Sequence, residues 1–359
     1  MVKYIIKRLL LSVLILVGVS IITYMLVRLM PMDYFDRKFQ AQLAQGTIKQ
    51  EDIDRQKDLY GLIIHYEKYA EKYGWDYDEN LKEESLTSGQ RTLSTVFNYF
   101  EGYWNWLSTT FKGDLGKSFK YGDDVSKVMW QSMWISFWIA LVAMTFQFFI
   151  AIALGIAAAT HQYSVMDYTV TILVLMGISL PSFFFANLLL RVFSLQLGWF
   201  PYVGMETAGA NYTGMARVVD ILHHMVLPMV AMVILGIGGF MRYTRTNVLE
   251  VLNADYIRTA RAKGCSEKTV IYRHAFRNTL IPIVTIIAGI LPGLFGGAMI
   301  TEQVFDLPGI GNKAYQALVV GDIPFIMGYN MFIARLGVLG TLLSDLMYAV
   351  VDPRVKITK

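Results

Sequence analysis

Residues 133–159 read MWISFWIALVAMTFQFFIAIALGIAAA, a continuous apolar run without a charged side chain. The hydrocarbon core of a bilayer is about 30 Å thick, and a helix of roughly 20 apolar residues crosses it. A helix on the surface of a soluble protein keeps one polar face toward water. Because this run is apolar on every face, it predicts a membrane-spanning helix.

Five other runs have the same character, and they lie at residues 9–29, 168–190, 222–241, 280–301 and 325–351. The chain of 359 residues is 55% hydrophobic and only 17% charged, whereas an average soluble domain is about 25% charged. The sequence therefore predicts an all-α membrane protein with six transmembrane helices. The first run follows Lys3, Lys7 and Arg8 as a signal peptide would. It is longer than a signal-peptide core and no small-residue cleavage site follows, so we interpret it as an uncleaved span.

Several classes of protein are excluded by composition and motif. A net charge of +4 gives no basic footprint for nucleic acid. The single cysteine, Cys265, excludes an intrachain disulfide and a cysteine-cluster metal site. The GKS sequence at residues 116–118 imitates the end of a phosphate-binding loop, but Phe111 stands where that loop needs its first glycine. We therefore predict no catalytic residue, no metal site and no cofactor in this chain.

Lysine and arginine in the short connecting segments predict the orientation. The N-terminus, residues 242–277 and the C-terminal tail carry 14 such residues, against three in the short loops of the opposite side. Because cytoplasmic loops are enriched in positive charge, both termini and residues 242–277 are expected to be cytoplasmic. The predicted domains are an N-terminal span (residues 1–30), an extracytoplasmic subdomain (31–132) and a core of five spans (133–359).

Proline and glycine interrupt the later spans, namely at Pro181, Pro228, Pro282, Pro292, Gly289, Gly293 and Gly297. Small residues allow helices to pack closely, and broken helices also line transport pathways. The last span carries Arg335 and Asp345, which are costly in lipid and should face protein or water. Gly293, Gly297, Arg335 and Asp345 are therefore candidates for a translocation pathway. Close packing, an ion pair with another helix and snorkelling of Asp345 are the alternatives.

The segment 242–277 carries eight basic and three acidic residues. We predict a short helix over residues 256–263, capped by Asn253 or Asp255 and ended by Gly264. A second short helix is expected to begin at Ser266. A basic cytoplasmic loop of this kind is most often a topology determinant near anionic lipid.

The same loop also resembles a known family. Residues 255–264 (DYIRTARAKG) and 273–282 (RHAFRNTLIP) resemble the EAA loop of the oligopeptide/dipeptide permease branch of ABC importers. Compared with the general EAA pattern, Arg258 replaces the glutamate and Thr259 the first alanine. Further similar motifs are RLMP at 28–31, GDLGKS at 113–118, LGWFP at 197–201, EQVFDLPGIG at 302–311 and DPR at 352–354. Residues 62–96 match no part of the family pattern and are interpreted as an insertion.

The resemblance implies a binding-protein-dependent inner-membrane component with the type I ABC importer permease fold. Such a subunit transports short peptides together with a second homologous permease, two cytoplasmic ATPases and an extracytoplasmic peptide-binding protein. ATP and magnesium are bound by the ATPases, and the complex lies in a bacterial-type plasma membrane. The residues that match the ATPase-coupling helix are Asp255, Tyr256, Arg258, Thr259, Ala260, Ala262, Lys263 and Gly264.

Three alternatives remain at this point. The same family also contains permeases for nickel and other small solutes. An ion-coupled carrier or channel would work without ATPases, but it predicts inverted repeats and charges deep in several spans. An intramembrane enzyme would need a convergent catalytic set, which the sequence does not show.

Overall fold

The computed structural model describes residues 2–28, 43, 49–59, 63–78 and 81–351, and helices account for nearly all of its regular secondary structure. The α-helices in chain order are α1 (Val2–Arg28), α2 (Gln50–Leu59), α3 (Tyr66–Tyr73), α4 (Ser88–Phe111), α5 (Val125–Thr160), α6 (Val165–Ser179), α7 (Ser182–Leu189), α8 (Gly214–Leu252), α9 (Asp255–Ala262), α10 (Glu267–Thr269), α11 (Phe276–Ile290), α12 (Met299–Val304), α13 (Ile310–Val320) and α14 (Ile323–Val351). Two 3₁₀ segments (Lys82–Ser85 and Leu291–Gly296) and two π-helical segments (Leu190–Gln196 and Val270–Ala275) complete the described helices.

Five helices in the described residues are long and apolar enough to cross a membrane. They lie at Ile6–Arg28, Val125–Thr160, Gly214–Leu252, Ile283–Val304 and Ile323–Tyr348. The pair formed by α6 and the segment Ser182–Gln196 gives a sixth span if the two halves are counted together. The predicted number of six spans therefore depends on this broken pair.

The third predicted span, residues 168–190, is not one helix. Its two halves are bent by 102° at a break before Ser182. Leu180 has extended backbone angles (φ −78°, ψ 129°), and Pro181 follows it. Proline lacks an N–H and disfavours helical angles in the residue before it, so the helix ends where the sequence places Pro181.

The other prolines act differently from one another. Pro228 lies inside α8, which remains continuous from Gly214 to Leu252. Pro292 is the second residue of the 3₁₀ segment Leu291–Gly296, after which Gly297 has φ +79°. A positive φ is readily adopted by glycine alone, so the fifth span breaks at this residue.

The first part of the predicted segment 242–277 is helical, because α8 continues through Leu252. The second helix predicted to begin at Ser266 does begin there, and the Ser266 side chain accepts a hydrogen bond from the backbone N–H of Thr269. It is not short, since helical backbone then continues through the π segment and α11 to Ile290. Charged residues marked the end of the apolar run, but arginine and glutamate are good helix formers, so the helix outlasts the apolar stretch.

The chain divides into two compact units by its internal contacts. The first contains the described parts of Met1–Leu9, Trp130–Gln316 and Arg335–Lys359. Its largest core cluster includes Ile139 of α5, Leu189 of α7 and Leu227 of α8. The second unit contains the described parts of Leu10–Met129 and Ala317–Ala334.

The core of the second unit joins segments that are far apart in sequence. Tyr24 of α1, Trp106 of α4 and Met327 of α14 are buried in one cluster, and Ile53 of α2 joins them. The hydroxyl of Ser118 donates a hydrogen bond to Asp322, just before α14. Burial raises the pKa of the Asp322 carboxyl, against the effect of this hydrogen bond. The GDLGKS motif therefore forms a turn fixed to the start of the last helix.

Candidate functional site

The predicted coupling helix exists as α9, and its starting position differs from the prediction. Asn253 ends α8, Ala254 occupies the N-cap position without a side-chain bond, and Asp255 is the first helical residue. The predicted caps Asn253 and Asp255 are therefore wrong. Asp255 still acts favourably, because a carboxylate in the first turn interacts well with the helix dipole.

The C-terminal end of α9 is closed by two backbone hydrogen bonds. Gly264 donates to the carbonyl of Arg261 at 2.9 Å, and Cys265 donates to the carbonyl of Ala260 at 3.2 Å. With Gly264 at φ +79°, this is a Schellman motif. The Arg261 guanidinium then pairs with Glu267 at 2.9 Å, so the start of α10 is tied back to α9.

One face of α9 is buried and the other is exposed. Ile257 and Ala260 pack in a cluster with Val270 and Ala275 of the following segment. The remaining predicted coupling residues are exposed, namely Asp255, Tyr256, Arg258, Thr259, Ala262, Lys263 and Gly264. Ala260 therefore packs within this chain, and the exposed surface available to a partner carries the other seven.

The long helix α8 leads into α9, and glycine residues allow it to pack closely against α5 and α6. A Cβ on Gly155 of α5 would lie 2.7 Å from Thr244 of α8. A Cβ on Gly238 of α8 would overlap the side chain of Ile178 at the end of α6. A Cβ at either position would meet an atom already in place, so α8 is closely packed against both α5 and α6.

A buried ion pair adds a directional link to this packing. Arg245 of α8 donates to both carboxylate oxygens of Asp167, with Nε at 2.9 Å and Nη2 at 2.8 Å. The Asp167 side chain is 5% exposed and also accepts a hydrogen bond from the backbone N–H of Tyr163. A two-pronged guanidinium–carboxylate pair fixes geometry as well as distance. It holds the start of α6 to the part of α8 just before the candidate coupling segment.

The pathway candidates fall in different surroundings. Asp345 pairs with Arg8 of α1 at 3.2 Å, which matches the predicted alternative of an ion pair with another helix. Arg335 is half-buried, and Gly293 is exposed with open space around its Cα. A Cβ on Gly297 would lie 2.6 Å from the backbone N of Gly311, so Gly297 packs against the start of α13. The structure does not bring these four residues together.

The motif at residues 302–311, which the sequence marks only as similar to the family pattern, encloses a buried carboxylate. Glu302 is 1% exposed, and its Oε1 accepts hydrogen bonds from Ser136 Oγ at 2.7 Å and from the Ala298 N–H at 3.0 Å. Its Oε2 accepts from the Asn312 N–H at 3.0 Å. Gly309 also lies against this carboxylate, where a side chain would overlap it.

Glu302 therefore links α5 to the break in the fifth span. Ser136 of α5 donates to the carboxylate and accepts from the Ile310 N–H at 2.9 Å. An acidic residue in an apolar stretch, followed by closely spaced glycines, was the available signal for this site. The sequence alone did not reveal which groups the carboxylate binds, because only the fold brings those groups to it.

The comparisons with known proteins show the family of this chain. Residues 151–357 match the family model described as "Binding-protein-dependent transport system inner membrane component". The chain belongs to this family, and it is a multi-pass membrane component of a multi-subunit transport system. The predicted resemblance to the oligopeptide/dipeptide permeases of ABC importers is confirmed.

Similar curated proteins extend over nearly the whole chain. The oligopeptide transport system permease protein AppB of Bacillus subtilis is 32% identical over 357 residues, covering 99% of this chain and 100% of AppB. The dipeptide transport system permease protein DppB of Alkalihalophilus pseudofirmus is 30% identical over 370 residues, covering 99% and 100%. The inward-facing MetNI methionine ABC transporter is a solved structure with TM-score 0.46 and 16% identity, covering 63% of this chain and 96% of that chain.

The Asp167–Arg245 pair gives a first prediction. Asp167→Asn should destabilise the folded chain by about 3 kcal/mol, because it leaves a partly buried guanidinium without its counter-charge. Glu267→Gln removes a carboxylate from an exposed pair, which is worth about 0–1 kcal/mol, and is the matched control. The measurement is the thermal unfolding midpoint of the purified protein in detergent. A midpoint for Asp167→Asn equal to that of the control would contradict the assigned role of the pair.

The Glu302 site gives a second prediction. Glu302→Gln should lower stability by about 1–3 kcal/mol, because the amide NH₂ replaces an acceptor that faces an N–H donor. Asp306→Asn makes the same change at an exposed residue of the same turn and should stay within about 0.5 kcal/mol of the unmodified protein. Both are compared by thermal unfolding. Equal behaviour of the two variants would show that the buried carboxylate is not required.

Proposed function

We propose that this chain is a permease subunit of an ATP-driven importer for short peptides. The observation that carries the proposal is the full-length similarity to permeases named for oligopeptide and dipeptide transport. The subunit forms the translocation pathway with a second homologous permease. An extracytoplasmic binding protein delivers the peptide, and two cytoplasmic ATPases drive the transport cycle.

The exposed face of α9 is proposed as the surface that docks on an ATPase. Its side chains combine an aromatic residue, Tyr256, with the charges of Arg258 and Lys263. The buried face, with Ile257 and Ala260, holds the helix to its own chain and makes it rigid. Rigid contact is what the transfer of a conformational change between two sites requires. ATP and magnesium belong to the ATPases, and this chain binds neither.

The connection from α9 to the spans supports the same proposal. Only Asn253 and Ala254 separate α8 from α9. Since α8 is packed at glycines against α5 and α6 and is clamped by Asp167, a displacement of α9 moves these helices together. We place both termini and α9 on the cytoplasmic side and residues 31–132 outside, as the distribution of lysine and arginine indicates.

The four pathway candidates take two proposed roles. Arg335 lines the pathway, because a half-buried arginine in a span requires water or protein around it. Gly293 lines it as well, because it is exposed with open space around its Cα. Asp345 and Gly297 position neighbouring elements, through the pair with Arg8 and the close approach to Gly311.

The docking surface gives a third prediction. In proteoliposomes that contain the partner subunits, Arg258→Glu should lower peptide uptake per ATP hydrolysed by about 5-fold or more, the size of a typical coupling effect. Lys268→Glu makes the same charge reversal on an exposed residue outside α9 and should leave this ratio nearly unchanged. An unchanged ratio for Arg258→Glu in a fully assembled complex would refute the docking proposal.

The partners and substrate give a fourth prediction. Affinity purification of the tagged chain from its native membrane should recover a second permease and two ATPases. Peptides should be the ligand of the binding protein that accompanies them. Nickel or another small solute in that binding protein would replace the proposed substrate and leave the transporter class intact. Recovery of the chain without any ATPase would refute the class and favour an ion-coupled carrier.

A further inference from the structure

Helix α4 carries an exposed apolar stripe, although α4 is not one of the candidate membrane spans. Leu93, Val96, Phe100 and Trp104 recur at helical spacing, and at 100° per residue they stay within about 80° of each other. The stripe contains two large aromatic residues, with Phe100 72% exposed and Trp104 68% exposed. A contiguous exposed patch of this kind marks a surface that meets another apolar partner.

The side of α4 next to the stripe packs on α1. The Tyr103 hydroxyl lies 2.7 Å from Ser20 Oγ, and the ring of Tyr24 contacts both Tyr103 and Trp106. At the end of α1, Arg28 donates to the backbone carbonyl of Asn98. Asn98 therefore contacts the last residue of α1, whereas Tyr103 and Trp106 contact residues one to two turns earlier, so α4 runs alongside α1 from its C-terminal end.

The position of these contacts sets the depth of α4. Residues Ile6–Arg28 are one of the membrane spans, and Tyr24 and Ser20 lie about 6 and 12 Å before its end at 1.5 Å per residue. Trp106 and Leu107 also share a buried cluster with Met327 and Met331, which lie one to two turns inside the span of α14. The part of α4 from about residue 100 to 107 is thus level with the interior of two spans.

The surface of α1 at this level shows what surrounds the stripe. Ile21, Ile22, Met25 and Leu26 are exposed on α1, in the same part of a membrane span. In a membrane-spanning helix such side chains meet lipid. Phe100 and Trp104 of the stripe are exposed at the same level, and Trp104 is of the residue type that concentrates at membrane interfaces.

We propose that the C-terminal half of α4 is embedded in the membrane leaflet at the C-terminal end of α1, with Phe100 and Trp104 against lipid. This makes α4 a membrane-embedded helix in addition to the six spans. Hydropathy does not reveal it, because its packed face carries Ser94, Asn98 and Thr110, which are buried within the chain. The proposal rests on membrane insertion and does not depend on the transported solute.

The test measures what the stripe touches in the assembled complex, reconstituted in lipid nanodiscs. Cys265→Ala removes the single cysteine of the chain. A nitroxide is then attached at Phe100→Cys or Trp104→Cys, with Thr92→Cys near the start of α4 and Glu71→Cys of α3 as exposed controls. Relaxation by oxygen, which partitions into lipid, is compared with relaxation by a water-soluble nickel chelate.

Labels at residues 100 and 104 should respond several-fold more to oxygen, relative to the chelate, than the label at residue 71. A response to the chelate equal to that of the control would place the stripe in water and overturn the proposal. Protection from both reagents would show a covering protein, such as a second permease, and would overturn it as well.

A second measurement needs no substitution. Lipids with a photoreactive acyl chain are activated in the unmodified complex, and the tryptic peptide of residues 92–112 is analysed by mass spectrometry. Label on Phe100 or Trp104 supports the proposal. Label on the acyl-contacting spans with none on this peptide contradicts it.

Discussion

The absence of water from the bilayer core is the constraint on which this structure depends. Every backbone N–H and C=O in that region needs a partner inside the protein, so a broken helix is tolerated only where something replaces the lost hydrogen bonds. The break in the fifth span shows how this is achieved. Glu302 accepts from the N–H of Ala298, next to the break at Gly297, and from the N–H of Asn312 in the first turn of α13. A buried carboxylate thus takes the place of backbone acceptors.

Close approach of helices is the second consequence of a medium in which the hydrophobic effect cannot drive association. Contact between backbones then contributes much of the attraction, and small residues permit it. Gly155 and Gly238 let α8 approach α5 and α6 in this way. The Asp167–Arg245 pair fixes the register of α8 against α6, which packing of small residues alone would leave free to slide. Together they make the part of α8 beyond its apolar run a stiff continuation of the spans.

The sequence predicted the features that depend on local composition, such as the spans. It did not predict the features that depend on contacts between residues far apart in the chain. The apolar runs located the spans because lipid selects composition directly, and Pro181 marked a break within one of them. The continuation of α8 to Leu252 was missed, because charged residues ended the apolar run without ending the helix. Asp167 and Arg245 are 78 residues apart, and no local sequence pattern predicts that they form an ion pair. The role of Glu302 was hidden for the same reason, although its motif was visible.

The turn at Ser118 has a consequence for the order in which the chain can be completed. Its partner Asp322 follows 204 residues later, and Met327 closes the same unit from the last helix. At about 5–20 residues per second, the ribosome needs roughly 10–40 s to make that intervening stretch. The earlier part of this unit therefore stays incompletely folded until the last helix has been made. This unit therefore cannot be completed before α14 is made, and a chain truncated before Asp322 lacks the hydrogen-bond partner of Ser118.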